Sequence, residues 1–158
     1  EASSRVTVDR PELLRGARVL AIEDGPTLTH GGMAFGAGAV AARESGAAAL
    51  VDPRPYAVGS LRDVFAKYEQ LDSVLPAMGY SPQQLQELAA TIHATPCDVV
   101  LVATPIALRR LIAIEKPAVT ARYEIIEREG LFLEEILETF VARHPLPGAL
   151  ARPQAMVT

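Results

Sequence analysis

Two short stretches, residues 17–22 and 99–103, are apolar almost without interruption, and further apolar runs alternate with helical patterns along the chain. A strand with one wet face alternates polar and apolar residues, whereas one that is apolar throughout needs cover on both faces. Such runs separated by helices therefore point to repeated β-α units around a parallel sheet. Five strands are expected, at 17–22, 47–51, 73–75, 99–103 and 118–126, with the first and fourth central. The fold class is then α/β: a doubly wound, mostly parallel five-stranded sheet in a Rossmann-like three-layer sandwich, with strand order 3-2-1-4-5. In the last strand Val119, Ala121, Tyr123 and Ile125 point one way while Thr120, Arg122 and Glu124 point the other, as at a less covered face or edge.

The intervening helices carry start signals. Ser60, three residues before Asp63, is placed to cap a helix whose apolar face is Leu61, Val64, Phe65 and Tyr68. Ser81-Pro82-Gln83-Gln84 combines an N-cap serine, a proline at the first helical position and a glutamine where a capping box needs one. Thr104-Pro105 repeats the device after the fourth strand. Leu133, Ile136, Leu137, Phe140 and Val141 give the last helix a stripe expected to be buried, with Glu134, Glu135 and Glu138 facing water. Residues 1–144 read as a single domain, and 145–158, rich in proline and without periodicity, as a tail.

Composition narrows the function. With 158 residues, 49% of them hydrophobic and 22% charged, the chain can bury the core of one compact domain. A net charge of −4 and few aromatic residues argue against nucleic acid as a partner, since a phosphate backbone asks for clustered Lys and Arg. No apolar run has the length of a bilayer span and the first residues lack a signal peptide's hydrophobic core, so the expected location is cytoplasmic, away from membranes. Cys97 is the only cysteine, so no internal disulfide forms, and its place before a strand suggests packing.

Functional groups gather after the strands: Asp24 after the first, Asp52 and Arg54 after the second, Thr104 after the fourth. Ligands of open α/β sheets sit at these carboxyl ends, where strand order reverses. The richest segment is Glu23-Asp24-Gly25-Pro26-Thr27-Leu28-Thr29-His30-Gly31-Gly32-Met33. Acids there can hold a cation, and glycines leading into a helix can offer backbone N–H groups to an anion. Asp24 is accordingly the expected Mg2+ ligand and, with His30, the catalytic pair, His30 exchanging a proton or contacting phosphate. Thr27, Thr29, Gly31 and Gly32 are expected to cradle a phosphate, with further substrate contacts from Asp52, Arg54, Tyr56, Thr104 and Arg109. Glu23, on the opposite strand face from Asp24, is read as structural. Asp24-Gly25-Pro26 also reads as a plain turn, and the glycines as packing aids.

A set of longer motifs goes further: Val8-Asp9, Gly16, Arg18-Val19-Leu20, the Glu23-to-Met33 segment, Gly36-Ala37-Gly38, Asp52-Pro53-Arg54-Pro55-Tyr56-Ala57-Val58-Gly59-Ser60, Leu75-Pro76-Ala77-Met78-Gly79-Tyr80 and Thr104-Pro105-Ile106. Together they resemble the C-terminal domain of the predicted GTPases related to cyclic 2,3-diphosphoglycerate synthetase, over nearly the whole chain. The resemblance implies ATP- or GTP-dependent phosphoryl transfer to a small phosphorylated metabolite, with Mg2+ as cofactor. It also implies that the nucleotide is bound mainly by an upstream P-loop domain, because G-x-x-x-x-G-K-[ST] does not occur in these residues. The chain would then begin at the junction with that domain and be inert alone, with a homodimer left open. Where relatives of this kind carry a lysine, a lysine, an acid and an arginine, this chain has Ala34, Ala17, Ala107 and Thr120. A metabolite-sensing domain and a dinucleotide-binding oxidoreductase are the alternative readings.

Overall fold

The computed structural model describes residues 2–127 and 132–144. Its strands are β1 (Ala2–Val8), β2 (Arg18–Asp24), β3 (Ala49–Leu50), β4 (Leu75–Ala77), β5 (Val99–Ala103) and β6 (Ala118–Glu127). Its helices are α1 (Gly25–Gly31), α2 (Ala37–Glu44), α3 (Ser60–Lys67), α4 (Pro82–Ala94), α5 (Leu108–Leu111) and α6 (Leu133–Arg143). The fold is α/β, with a six-stranded sheet in the order β1-β6-β5-β2-β3 and β4 also paired to β2. The pairs of β2 with β3, β4 and β5, and of β5 with β6, are all parallel. None of the described helices is long and apolar enough to cross a membrane.

The continuously apolar strands β2 and β5 are central neighbours, in register from Val19 opposite Val99 to Glu23 opposite Ala103. Their alternate side chains feed two apolar clusters, which is why both runs lack polar positions. Leu20, Ile22, Val100 and Val102 pack with Leu61 and Phe65 of α3 and Leu88 and Ile92 of α4. Val19, Leu101 and Ala103 pack with Ala41 and Ala42 of α2 and with Leu14. Cys97 lies half-buried against the first cluster, and burial is the main cause that pushes its thiol pKa up.

Several expectations are corrected. The sheet has a sixth strand, β1, whose residues Ser3, Ser4, Arg5 and Thr7 hid it; only Val6 and Val8 pack against the core. The order 3-2-1-4-5 fails at one edge. Strand β3 has two residues and pairs only with Arg18 and Val19, leaving Ile22–Asp24 on that edge of β2 for β4. Ser60 does not cap α3: Gly59 holds that position, and the Ser60 N–H and hydroxyl both donate to Glu87 of α4. Thr104 does not cap α5 either, since the N-cap is Ala107 and the Thr104 hydroxyl oxygen accepts from the Ile106 N–H at 3.4 Å. The capping box of α4 is present as expected, with Ser81 and Gln84 bonded reciprocally.

By its internal contacts the chain gathers into two compact units, Val6–Glu124 and a second made of Glu1–Arg5 with Ile125–Thr158. In the second unit the stripe of α6 expected to be buried is instead exposed, from 48% at Ile136 to 61% at Val141. An open apolar groove of about 1080 Å3 is lined there by Ile125, Phe132, Leu137 and Val141. Periodicity fixes which side chains share a face but not what covers them. The expected tail, 145–158, lies outside the described residues.

Candidate functional site

The carboxyl ends of β2 and β5 bring Glu23, Asp24 and Thr104 close to Tyr123 in the middle of β6. Glu23 and Asp24 are consecutive on a strand, so the pleat sends their side chains to opposite faces. Glu23 goes inward and is 1% exposed. One carboxylate oxygen accepts the N–H of Gly38 at 3.2 Å and the other that of Ala39 at 2.8 Å, so the amino end of α2 is occupied by the chain's own anion. Burial pushes the Glu23 carboxyl above its ordinary pKa, the amides of Ala39, Gly38 and Gly36 pull it back, and the charge of Asp24 adds to the rise.

Two glycines make this contact fit. A Cβ at Gly36 would stand 2.6 Å from a Glu23 carboxylate oxygen, and one at Gly38 would stand 2.6 Å from the Ala103 Cβ. The preceding segment is pinned as well. Asp72 donates its N–H to the Ala34 carbonyl at 2.9 Å, and the Arg43 guanidinium lies 4.7 Å from the Phe35 ring centre while pairing with Asp72 at 3.7 Å.

Asp24 faces outward, half-buried, as the N-cap of α1. One of its oxygens accepts the Thr27 N–H at 3.2 Å and the Thr27 hydroxyl at 2.6 Å, while the Thr29 hydroxyl donates to the Gly25 carbonyl at 3.0 Å. The hydroxyls expected at a phosphate are thus engaged in their own helix. Gly31 and Gly32 close α1 instead of opening a helix, with Gly32 as a left-handed C-cap at φ +62°. The expectation that they lead into a helix amino end is corrected: they stand at a carbonyl end, whose dipole is negative. His30 is exposed in the last turn of α1. Six residues of helical rise put it about 9 Å along the axis from Asp24, so the two expected catalytic groups sit at opposite ends of one helix.

Asp52 and Arg54 engage each other. The Asp52 carboxylate accepts the Arg54 backbone N–H at 3.0 Å and its guanidinium at 2.9 Å, and the Arg54 hydrogen bond is the main cause that lowers the Asp52 pKa. Tyr56 is half-buried in the adjoining 3-10 turn, and Arg109 is exposed in the last turn of α5. Thr104 is buried.

Tyr123 is the addition. It belongs to the alternating face of β6, in the middle of the strand, and nothing in the sequence marked it as a site residue. Its O–H donates to the Ala103 carbonyl at 3.3 Å, and its phenol pKa is raised first by partial burial and then by the charges of Glu23 and Asp24. Among the described residues no three His, Cys, Asp or Glu side chains form a ready metal cage. Magnesium commonly takes only one or two carboxylates beside water and substrate phosphates, a role open to Asp24.

No family model matches the sequence. No solved structure matches it. Among curated proteins it is similar to arginine synthetase ArcE of Thermococcus kodakarensis, at 54% identity over 138 residues, which cover 87% of this chain. The chain spans 31% of that protein's length.

Proposed function

We propose that this chain is the substrate- or effector-binding α/β part of a nucleotide-dependent synthetase. The observation that carries this reading is the 54% identity to an arginine synthetase over 87% of the chain. The architecture supports it: α2 lies on one face of the sheet and α3 and α4 on the other, in the manner of a doubly wound, Rossmann-like sandwich. In such a sheet the ligand crevice falls at the carboxyl ends of the strands where the winding reverses, here between β2 and β5.

Asp24 lies at that crevice, and in this reading it would help hold a Mg2+ ion. ATP or GTP is bound mainly outside these residues, in keeping with the missing G-x-x-x-x-G-K-[ST] pattern. When bound, the ion would supply charge neutralisation for phosphoryl transfer. Tyr123 lies beside the same strand ends, where its hydroxyl oxygen, with its proton donated to the Ala103 carbonyl, would accept a hydrogen bond from the substrate. Asp24 gives the site a negative charge, while Arg54 is taken up by Asp52 and Arg43 by Asp72. A substrate with a cationic side chain fits that charge better than a doubly phosphorylated one. The resemblance to cyclic 2,3-diphosphoglycerate synthetases enters this proposal at the level of the nucleotide-driven step.

Calorimetric titration of the chain with L-arginine, phosphoglycerates, MgATP, MgGTP and NADH tests the reading. Arginine is expected to bind in the presence of Mg2+. Asp24→Asn keeps an N-cap side chain and removes the charge, so it is expected to weaken binding about tenfold, or ~1.4 kcal/mol, without unfolding α1. Binding of NADH, or of none of these compounds, contradicts the proposal.

A further inference from the structure

We propose that the exposed apolar face of α6, with Ile125 of β6, is a contact between two copies of this chain, packed about a twofold axis with their α6 helices antiparallel. Single exposed apolar residues need no explanation, but here Ile125, Phe132, Ile136, Leu137, Phe140 and Val141 are all open, up to 73% at Ile125. At those exposures they present roughly 600 Å2 of apolar surface per copy, the upper end of what a monomer leaves open and most of the ~800 Å2 that each partner gives a stable interface. The face is also shaped to receive side chains. Its open groove of about 1080 Å3 runs between Ile125 and the ridge of Leu137 and Val141, and a second hollow of about 360 Å3 lies beside Ile136 and Phe140. Charge selects the occupant. Glu134, Glu135 and Glu138 stand in the first half of α6, two of them on the groove's rim, whereas Arg143 and His144 close the helix beside the second hollow. A second α6 laid antiparallel sets its basic end beside this acidic half and opposes the two helix dipoles, and the twofold axis makes that match twice. A parallel copy would set acids beside acids, and an anionic membrane would meet three glutamates against one arginine.

The inference goes beyond the synthetase reading and does not depend on it. Sedimentation equilibrium of this chain at low and high micromolar concentration is expected to show monomers and dimers exchanging by mass action. Phe140→Asp is expected to leave only monomer, because it puts two buried charges into each contact. Arg143→Glu is expected to weaken dimerisation about tenfold by setting acid against acid twice, while the exposed Arg15→Glu, outside this face, leaves it unchanged. Hydrogen exchange of the wild-type chain needs no variant: protection of the α6 amides is expected to rise with concentration, and that result upholds the inference even if Phe140→Asp does not fold. A chain monomeric at every concentration would overturn it, whether α6 is then shielded by another segment of the same chain or open to exchange. A dimer that persists in folded Phe140→Asp, or whose α6 exchange is the same at both concentrations, would overturn it too. A dimer indifferent to Arg143→Glu would overturn the antiparallel arrangement.

Discussion

At the scale of single residues, two carboxylates tie folding to pH with opposite sign. Asp98 accepts the backbone N–H and the guanidinium of Arg18, and its pKa is lowered to about 2 from an ordinary 3.8. Its contribution to stability is therefore complete above the unfolded value of 3.8 and is lost as pH falls through about 2. Glu23 runs the other way: its raised pKa favours the protonated folded state, so its contribution falls as pH rises from the ordinary 4.5. Asp98→Asn is expected to flatten the acid limb of a melting-temperature profile between pH 2 and 3.8 and to leave Glu23's opposite slope in place; an unchanged acid limb would contradict the assignment. The sequence placed Glu23 and Asp24 on opposite faces, because a strand alternates, and left Glu23 a structural role. It did not show that the partner of Glu23 is a helix beginning at Ala37, since that contact depends on the path of the segment between them. The hydroxyls of Thr27 and Thr29 were equally ambiguous, because a residue that can bind phosphate can also satisfy its own helix.

At the scale of elements, close approach of α2 to β5 sets the geometry around Glu23. Gly38→Ala would bring its Cβ within 2.6 Å of the Ala103 Cβ, which has no flexible end to move away. The expected cost is ~1–3 kcal/mol, as for overpacked cores, read as a lower urea midpoint with an unchanged slope. No change in midpoint would mean that the helix can shift without loss. Helix α4 was readable because its signals are local: Ser81, Pro82 and Gln84 act within one turn, whatever surrounds them. Its other end depends on a distant residue, Lys116, whose ammonium donates to the carbonyls of Ile92, His93 and Thr95. The outer strands were harder to read for the same reason. Two residues suffice for β3, and β4 takes its place from the length of β2 that β3 leaves unpaired.

At the scale of the whole molecule, parallel winding delivers chemistry to one end of the sheet. Strand β2 ends in two acids, β5 is followed by a buried threonine and β6 supplies a tyrosine. The opposite end carries tight glycine turns, including the 2.8 Å hydrogen bond from the Gly16 N–H to the Gly46 carbonyl. That polarity was visible in the sequence as functional groups following apolar runs, whereas the sign of the site was not. Glycines and hydroxyls suggested an anion cradle, but folding turns Thr27 and Thr29 to their own helix, closes α1 with Gly31 and Gly32, and pairs Arg54 and Arg43 with acids. The central claim is that these acidic strand ends bind the substrate. Amide chemical-shift mapping of the labelled chain with L-arginine and Mg2+ tests it most directly. Saturable shifts are predicted at Asp24, Thr27, Thr104 and Tyr123; shifts confined to Gly16, Gly46 and Cys97 at the other end of the sheet, or none at all, would contradict the account.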